Sequence, residues 1–121
     1  MVKALFDTNI LIDHLNAMPQ ARDELARYES RNISVVTWME VLIGAPQELE
    51  AATRAFLAGF TVIPLDDAVA EHAVRIRRAR RIKLPDAIIH ASAEAHSLLL
   101  VTRNTRDFGT DTPGVRIPYG L

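Results

Sequence analysis

The chain has 121 residues, 49% of them hydrophobic and 24% charged, with a formal net charge of −1. That size and balance exclude a disordered or low-complexity protein and predict one domain spanning residues 1–121. The absence of cysteine excludes a disulfide scaffold and a thiolate zinc site, and fits a reducing compartment.

Val2–Phe6 is a short apolar run that reads as a strand buried on both faces and ends at Asp7. One lysine and no apolar h-region precede that aspartate, and no apolar run is long enough for a bilayer. A cytoplasmic protein without a membrane partner is expected. Thr8–Leu15 has helical spacing, and Pro19 opens a second helix with Leu25 and Tyr28 on one face. Asn32–Val36 reads as the second strand, and a helix from Thr37 onward is stopped by Gly44 and Pro46.

Glu48–Gly59 reads as a helix closed by glycine, followed by a strand over Phe60–Leu65. Asp66 or Asp67 caps the next helix, with Val69, Ala73 and Ile76 at core spacing. Pro85 opens a helical turn that Ala87–Ser97 continues, with Ala87, Ile88, Ala91 and Ala95 inward. Leu98–Val101 is a strand, and Val115–Ile117 is a short edge strand before Pro118. Alternating strands and helices predict an α/β domain with a mostly parallel central sheet flanked by helices.

Each carboxylate at a predicted element end has a structural reading of its own. Asp7 suits a helix N-cap, and Thr37-x-x-Glu40 has the capping-box pattern. Asp86 suits the positive end of a helix, and Asp107 sits in a polar turn. Together they suggest more. In an open parallel sheet, ligands bind beyond the carboxyl ends of the strands. Asp7, Glu40 and Asp107 follow three predicted strands, and the helix begun at Asp86 runs back into the third. Clustered carboxylates repel and raise one another's pKa, which a bound Mg²⁺ (or Mn²⁺) relieves. Such a site suits phosphodiester hydrolysis. Asn9 can orient a carboxylate or close a local turn. Thr102, near Asp107, offers a hydroxyl, while Arg103 and Arg106 offer phosphate contacts.

Charge is unevenly spread. Residues 1–74 hold 5 basic and 11 acidic side chains, whereas residues 75–107 hold 8 basic and 3 acidic. The run from Arg75 to Lys83 has six basic residues in nine, either a solvated helix face or a guide for a phosphate backbone. His14, His72, His90 and His96 lack metal-ligand spacing, and no nucleotide-binding glycine motif or catalytic-serine constellation is present.

The segments Phe6–Ile12 (FDTNILI), Ser34–Gly44 (SVVTWMEVLIG), Leu84–Ala91 (LPDAIIHA) and Leu100–Phe108 (LVTRNTRDF), in that order and spacing, resemble the PIN-domain family. Within it they resemble the VapC-type toxins of toxin–antitoxin pairs. The resemblance implies a PIN-like (Rossmann-like) three-layer fold, Mg²⁺- or Mn²⁺-dependent RNA cleavage, a homodimer, and inhibition by a cognate antitoxin through which any DNA contact is made. By position, it implies Asp7 and Asp86 as metal ligands and Glu40 and Asp107 as further catalytic acids, with Thr102 and Asn104 in support. Some members carry aspartate where this chain has Asn104, so the fourth position is supplied by Asp107 or by Asn104, and in the latter case the fourth acid is weakened. The expected function is a toxin endoribonuclease. The competing readings are a weakly active co-repressor module and an RNA-processing nuclease without an antitoxin.

Overall fold

The computed structural model describes residues 2–109 and 111–120. Among these, five strands form one parallel sheet: β1 (Ala4–Phe6), β2 (Arg31–Ser34), β3 (Thr61–Ile63), β4 (Leu99–Val101) and β5 (Val115–Arg116). The spatial order is β3-β2-β1-β4-β5, with Leu5 opposite Asn32 on one side and Leu100 on the other. The order reverses between β1 and β4, so the crevice of a doubly wound sheet lies beyond their carboxyl ends.

The helices are α1 (Thr8–Leu15), α2 (Pro19–Ala26), α3 (Val35–Gly44), α4 (Glu50–Leu57), α5 (Asp67–Ala79) and α6 (Leu84–Ala95), with a 3-10 turn at Gln47–Leu49. Strand alternation sorts them into two layers. Ala4 and Phe6 face a core built with Ile10, Leu11, Leu25, Tyr28, Val41 and Leu57 from α1 to α4. Leu5 points the other way, into Val69, Ala73 and Ile76 of α5 and Ala87, Ile89 and Ala91 of α6. Asp7 keeps extended backbone angles, so the alternation sends its side chain toward the α6 layer.

Most boundaries lie within two residues of the sequence prediction, and two of the shifts matter for the site and the packing. The second strand stops at Ser34, not Val36, because the Ser34 side chain caps α3 by accepting from the Val36 N–H at 3.1 Å. Thr37 is therefore fully buried inside the helix and caps nothing, which removes the capping-box reading of Glu40. The predicted helix 48–59 is divided into the 3-10 turn and α4. Of the two candidate caps for α5, Asp66 is the one used, accepting from the Val69 N–H at 2.9 Å.

Helices α1 and α6 end on Ala17 and Ser97 with φ of 63° and 54°. The bonds Met18 N–H to Asp13 carbonyl (3.0 Å) and Leu98 N–H to Ala93 carbonyl (2.8 Å) close a six-residue terminating loop at each end. A left-handed conformation costs an L-residue roughly 1 kcal/mol that glycine avoids. Ala17→Gly is expected to raise stability by about 0.5–1 kcal/mol, read as a higher urea midpoint at unchanged m.

Candidate active site

Asp7 is the N-cap of α1 and sits where β1 leaves the sheet. Its Oδ1 accepts from the Thr8 N–H at 2.8 Å, and its Oδ2 accepts from the Thr102 hydroxyl at 2.8 Å. Thr102 follows β4, the strand paired to β1, so the sheet register itself brings this hydroxyl to Asp7. The Asn9 amide donates to Thr102 Oγ1 at 3.3 Å and lies 3.4 Å from Asp7 Oδ2. Asp7 is 7% exposed and Thr102 fully buried.

Burial pushes the Asp7 carboxyl up to about 6, opposed by the Thr102 and Thr8 hydrogen bonds and reinforced by the charges of Asp86 and Glu40. Asp86, in the first turn of α6, is raised by partial burial and by the charges of Asp107 and Glu40, against the pull of Lys83. Asp7, Glu40 and Asp86 line one depression of about 340 Å³ together with Asn9 and Asn104. Glu40 is exposed on α3, and its Oε1 accepts from the Thr8 hydroxyl at 2.7 Å. That hydroxyl is 2.9 Å from the buried Thr37 hydroxyl, so a two-threonine chain steers Glu40 toward Asp7.

Asp107 stands on the far side of Asp86. It lines an adjoining depression of about 380 Å³ with Asp86, Asn104, Arg81, Lys83 and Arg106. Its Oδ2 accepts from the Asn104 amide at 2.8 Å, and the Asn104 side-chain Oδ1 accepts from the backbone N–H groups of Arg106 and Asp107. The Arg80 guanidinium donates to the Asp107 carbonyl and lies 4.7 Å over the buried Phe108 ring. Phe108 packs edge-on to His90 of α6 at 5.1 Å.

Two supporting roles expected from sequence are redirected. Thr102 serves Asp7, not Asp107; of the two expected supports, Asn104 is the one bonded to Asp107. Arg103 gives its guanidinium to Asp13, with Nε to Oδ2 at 2.6 Å and Nη2 to Oδ1 at 3.0 Å. Burial raises the Asp13 carboxyl, but the Arg103 fork and the Tyr119 hydroxyl (2.8 Å) outweigh it and hold it below its ordinary value. Sequence reasoning missed Thr8, Thr37 and Asp13. A threonine directly after Asp7 was a usable signal, whereas the Asp13–Arg103 pair joins residues 90 apart and left none.

The sequence pattern of the PIN domain matches residues 4–109. The chain belongs to the PIN domain family, among its VapC-type members. This PIN domain is 32% identical over 120 residues to the tRNA(fMet)-specific endonuclease VapC of Shigella flexneri, covering 89% of this chain and 91% of the relative. It is 34% identical over 112 residues to the ribonuclease VapC10 of Mycobacterium tuberculosis, covering 86% and 84%. It superposes on a chain of a toxin–antitoxin complex from Klebsiella pneumoniae with a TM-score of 0.93 and 45% identity, covering 98% of this chain and all of that one.

The donor set suits a hard divalent cation, being made of carboxylate oxygens that repel one another. Among the described residues, no three acidic or histidine side chains already close around one point. A divalent cation of this class can be held by one or two carboxylates, with water or substrate phosphate completing its shell. Asp7 and Asp86 fit this role. Among the described residues, no helix is long and apolar enough to cross a membrane.

Proposed function

We propose that this PIN domain is a divalent-metal-dependent endoribonuclease acting as the toxin of a VapBC-type pair. The observation that carries the reading is the shared depression, where Asp7, Glu40 and Asp86 arrive from three elements and Asp7 is pushed up to about 6. The ribonuclease names of its relatives and the toxin–antitoxin complex among its structural neighbours support it. The same reading carries a protein antitoxin as partner and a homodimer as assembly.

In this reading Asp7 and Asp86 hold the ion, Mg²⁺ or Mn²⁺. When bound, it supplies Lewis-acid polarisation of the scissile phosphate and a lower pKa for the attacking water. The chain's own residues do the rest. Thr102 and the Thr8 N–H fix both oxygens of Asp7, so this ligand is ordered before substrate arrives. The Thr37–Thr8 hydroxyl chain leaves one carboxylate oxygen of Glu40 free to orient a water and accept its proton. Asn104 anchors Asp107, which places a further negative charge beside Asp86.

The decisive assay is RNA cleavage by Asp86→Asn in saturating Mn²⁺. Activity is expected to fall by more than about 100-fold, since even outer partners of metal ligands are worth about 10–100-fold. Cleavage at the native rate by the folded variant would falsify the reading. Metal affinity has its own signature. A ligand must be deprotonated to bind, so calorimetric Mn²⁺ affinity is expected to be flat above about pH 7 and to weaken as pH falls through about 6, where Asp7 takes up a proton. The slope approaches roughly tenfold per pH unit, and an affinity constant from pH 7 to 5 would remove Asp7 from the ligand set.

A further inference from the structure

The structure divides the basic run that the sequence presents as one patch. Arg75 pairs with Glu94, and Arg80 is held by the Asp107 carbonyl and the Phe108 ring. Arg77 and Arg78 lie in the last turn of α5, where cations offset the helix dipole, and Arg78 lines a separate depression with Glu71 and Val74. Arg81 and Lys83 are different. They follow α5, are exposed, and line the depression that adjoins the carboxylates, opposite Arg106 from the loop after β4. Among the described residues none of these three has an acidic partner within salt-bridge distance, whereas Arg75, Arg103 and Arg116 each do.

We propose that Arg81, Lys83 and Arg106 form a phosphate subsite that holds the RNA backbone next to the scissile bond; this rests on the nuclease reading above. The two depressions share Asp86 and Asn104 as a common wall, so a strand entering one continues into the other. The carboxylate side repels a polyanion, and three unpaired cations across one wall supply the compensating attraction. Lys83 precedes α6, whose start carries no side-chain cap, so the Leu84 and Asp86 N–H groups add to the positive field there. The backbone N–H of Arg106 donates to the Asn104 side-chain Oδ1 at 3.1 Å, which places Arg106 on the same short turn as Asp107. The subsite therefore sets strand position relative to Asp86 without touching the reacting atoms.

The test is fluorescence anisotropy of a labelled single-stranded RNA oligonucleotide bound to the full chain carrying Asp7→Asn in EDTA, which removes cleavage from the readout. Arg81→Gln with Lys83→Gln is compared with Arg77→Gln with Arg78→Gln, an equal change in charge four residues away. The first pair is expected to weaken binding by roughly tenfold and lower the salt slope by about 1.4, at about 0.7 per phosphate contact; the second pair changes affinity less than about twofold. Arg106→Gln alone is expected to lower the slope by about 0.7. Equal losses from both pairs, or none from the first, would overturn the subsite. So would displacement of the RNA by polyglutamate as readily as by unlabelled RNA, which would mark an acidic-protein surface instead. Failure of the unsubstituted chain to cut RNA would sink the nuclease reading and leave these binding results standing.

Discussion

Metal-free Asp7→Asn is expected to melt at a higher temperature than the unsubstituted chain while losing RNA cleavage by more than about 100-fold. Both effects have one origin. The Asp7 carboxyl is buried beside Asp86 and Glu40, and its pKa rises from 3.8 to about 6. An acid with a raised folded value binds its proton more tightly in the fold than in the unfolded chain. The associated stability is present below pH 3.8, is lost as pH climbs to about 6, and stays lost above it. At about 1.4 kcal/mol per pH unit the penalty is about 3 kcal/mol at neutral pH. Asparagine can still accept the Thr8 N–H but loses the Thr102 bond on its amide side, because Thr102 Oγ1 already accepts from the Asn9 amide and the Asn104 N–H, so a gain of about 1–2 kcal/mol survives the exchange. For a chain of this size that is a Tm rise of roughly 4–10 °C at pH 7, shrinking toward pH 4. Excess Mg²⁺ narrows the gap by stabilising only the unsubstituted chain, about 2.7 kcal/mol at 100 times Kd. A variant that is no more stable at pH 7 and still cuts RNA would refute the account of Asp7 as an electrostatically strained ligand.

Arg103→Ala is expected to cost roughly 2–4 kcal/mol of stability by leaving the 3%-exposed Asp13 with Tyr119 alone. The bidentate fork joins the loop after β4 to α1, and the Arg103 backbone N–H also donates to the Asn9 side-chain Oδ1 at 3.4 Å. A phosphate contact and a structural strut predict different data. The strut lowers the urea midpoint and leaves the salt slope of RNA binding unchanged; a phosphate contact lowers the slope by about 0.7 and leaves stability alone. Combining Arg103→Met with Asp13→Asn is expected to restore much of the loss, because no charge is then left buried without a partner. Failure of that recovery would mean the fork does more than neutralise Asp13.

Much of this architecture is legible in the sequence because local signals agree with tertiary position. Helix α1 begins and ends where its spacing and the Asp7 cap place it, and the proline-led starts of α2 and α6 hold. The Thr37–Glu40 pattern misled because a better cap stood nearby: Ser34 starts the helix early and turns Thr37 into the core. Nothing local distinguishes the two, since a buried threonine and a capping threonine read alike. Asp7, Glu40 and Asp107 could be placed at one sheet edge from strand ends, and Asp86 from the helix that runs back into β4. Their grouping could not, because whether Asp107 faces Asp7 or stands behind Asp86 depends on how Arg80 and Phe108 dock the turn. Arg103 shows the same limit: its partner is set by packing between elements far apart in the chain.

The placement of β1 between β2 and β4 has a consequence for synthesis on the ribosome. Asp7 emerges early, yet its Thr102 hydroxyl lies 95 residues downstream, on the far side of every helix. At about 5–20 residues per second, roughly 5–20 s separate the making of the two. Until β4 docks, the nascent chain holds an acid without the hydroxyl that orders it and without the wall that carries Asn104 and Asp107. Strands β4 and β5 are made after every helix, and only with them does the carboxylate site acquire the groups that order Asp7 and flank Asp86.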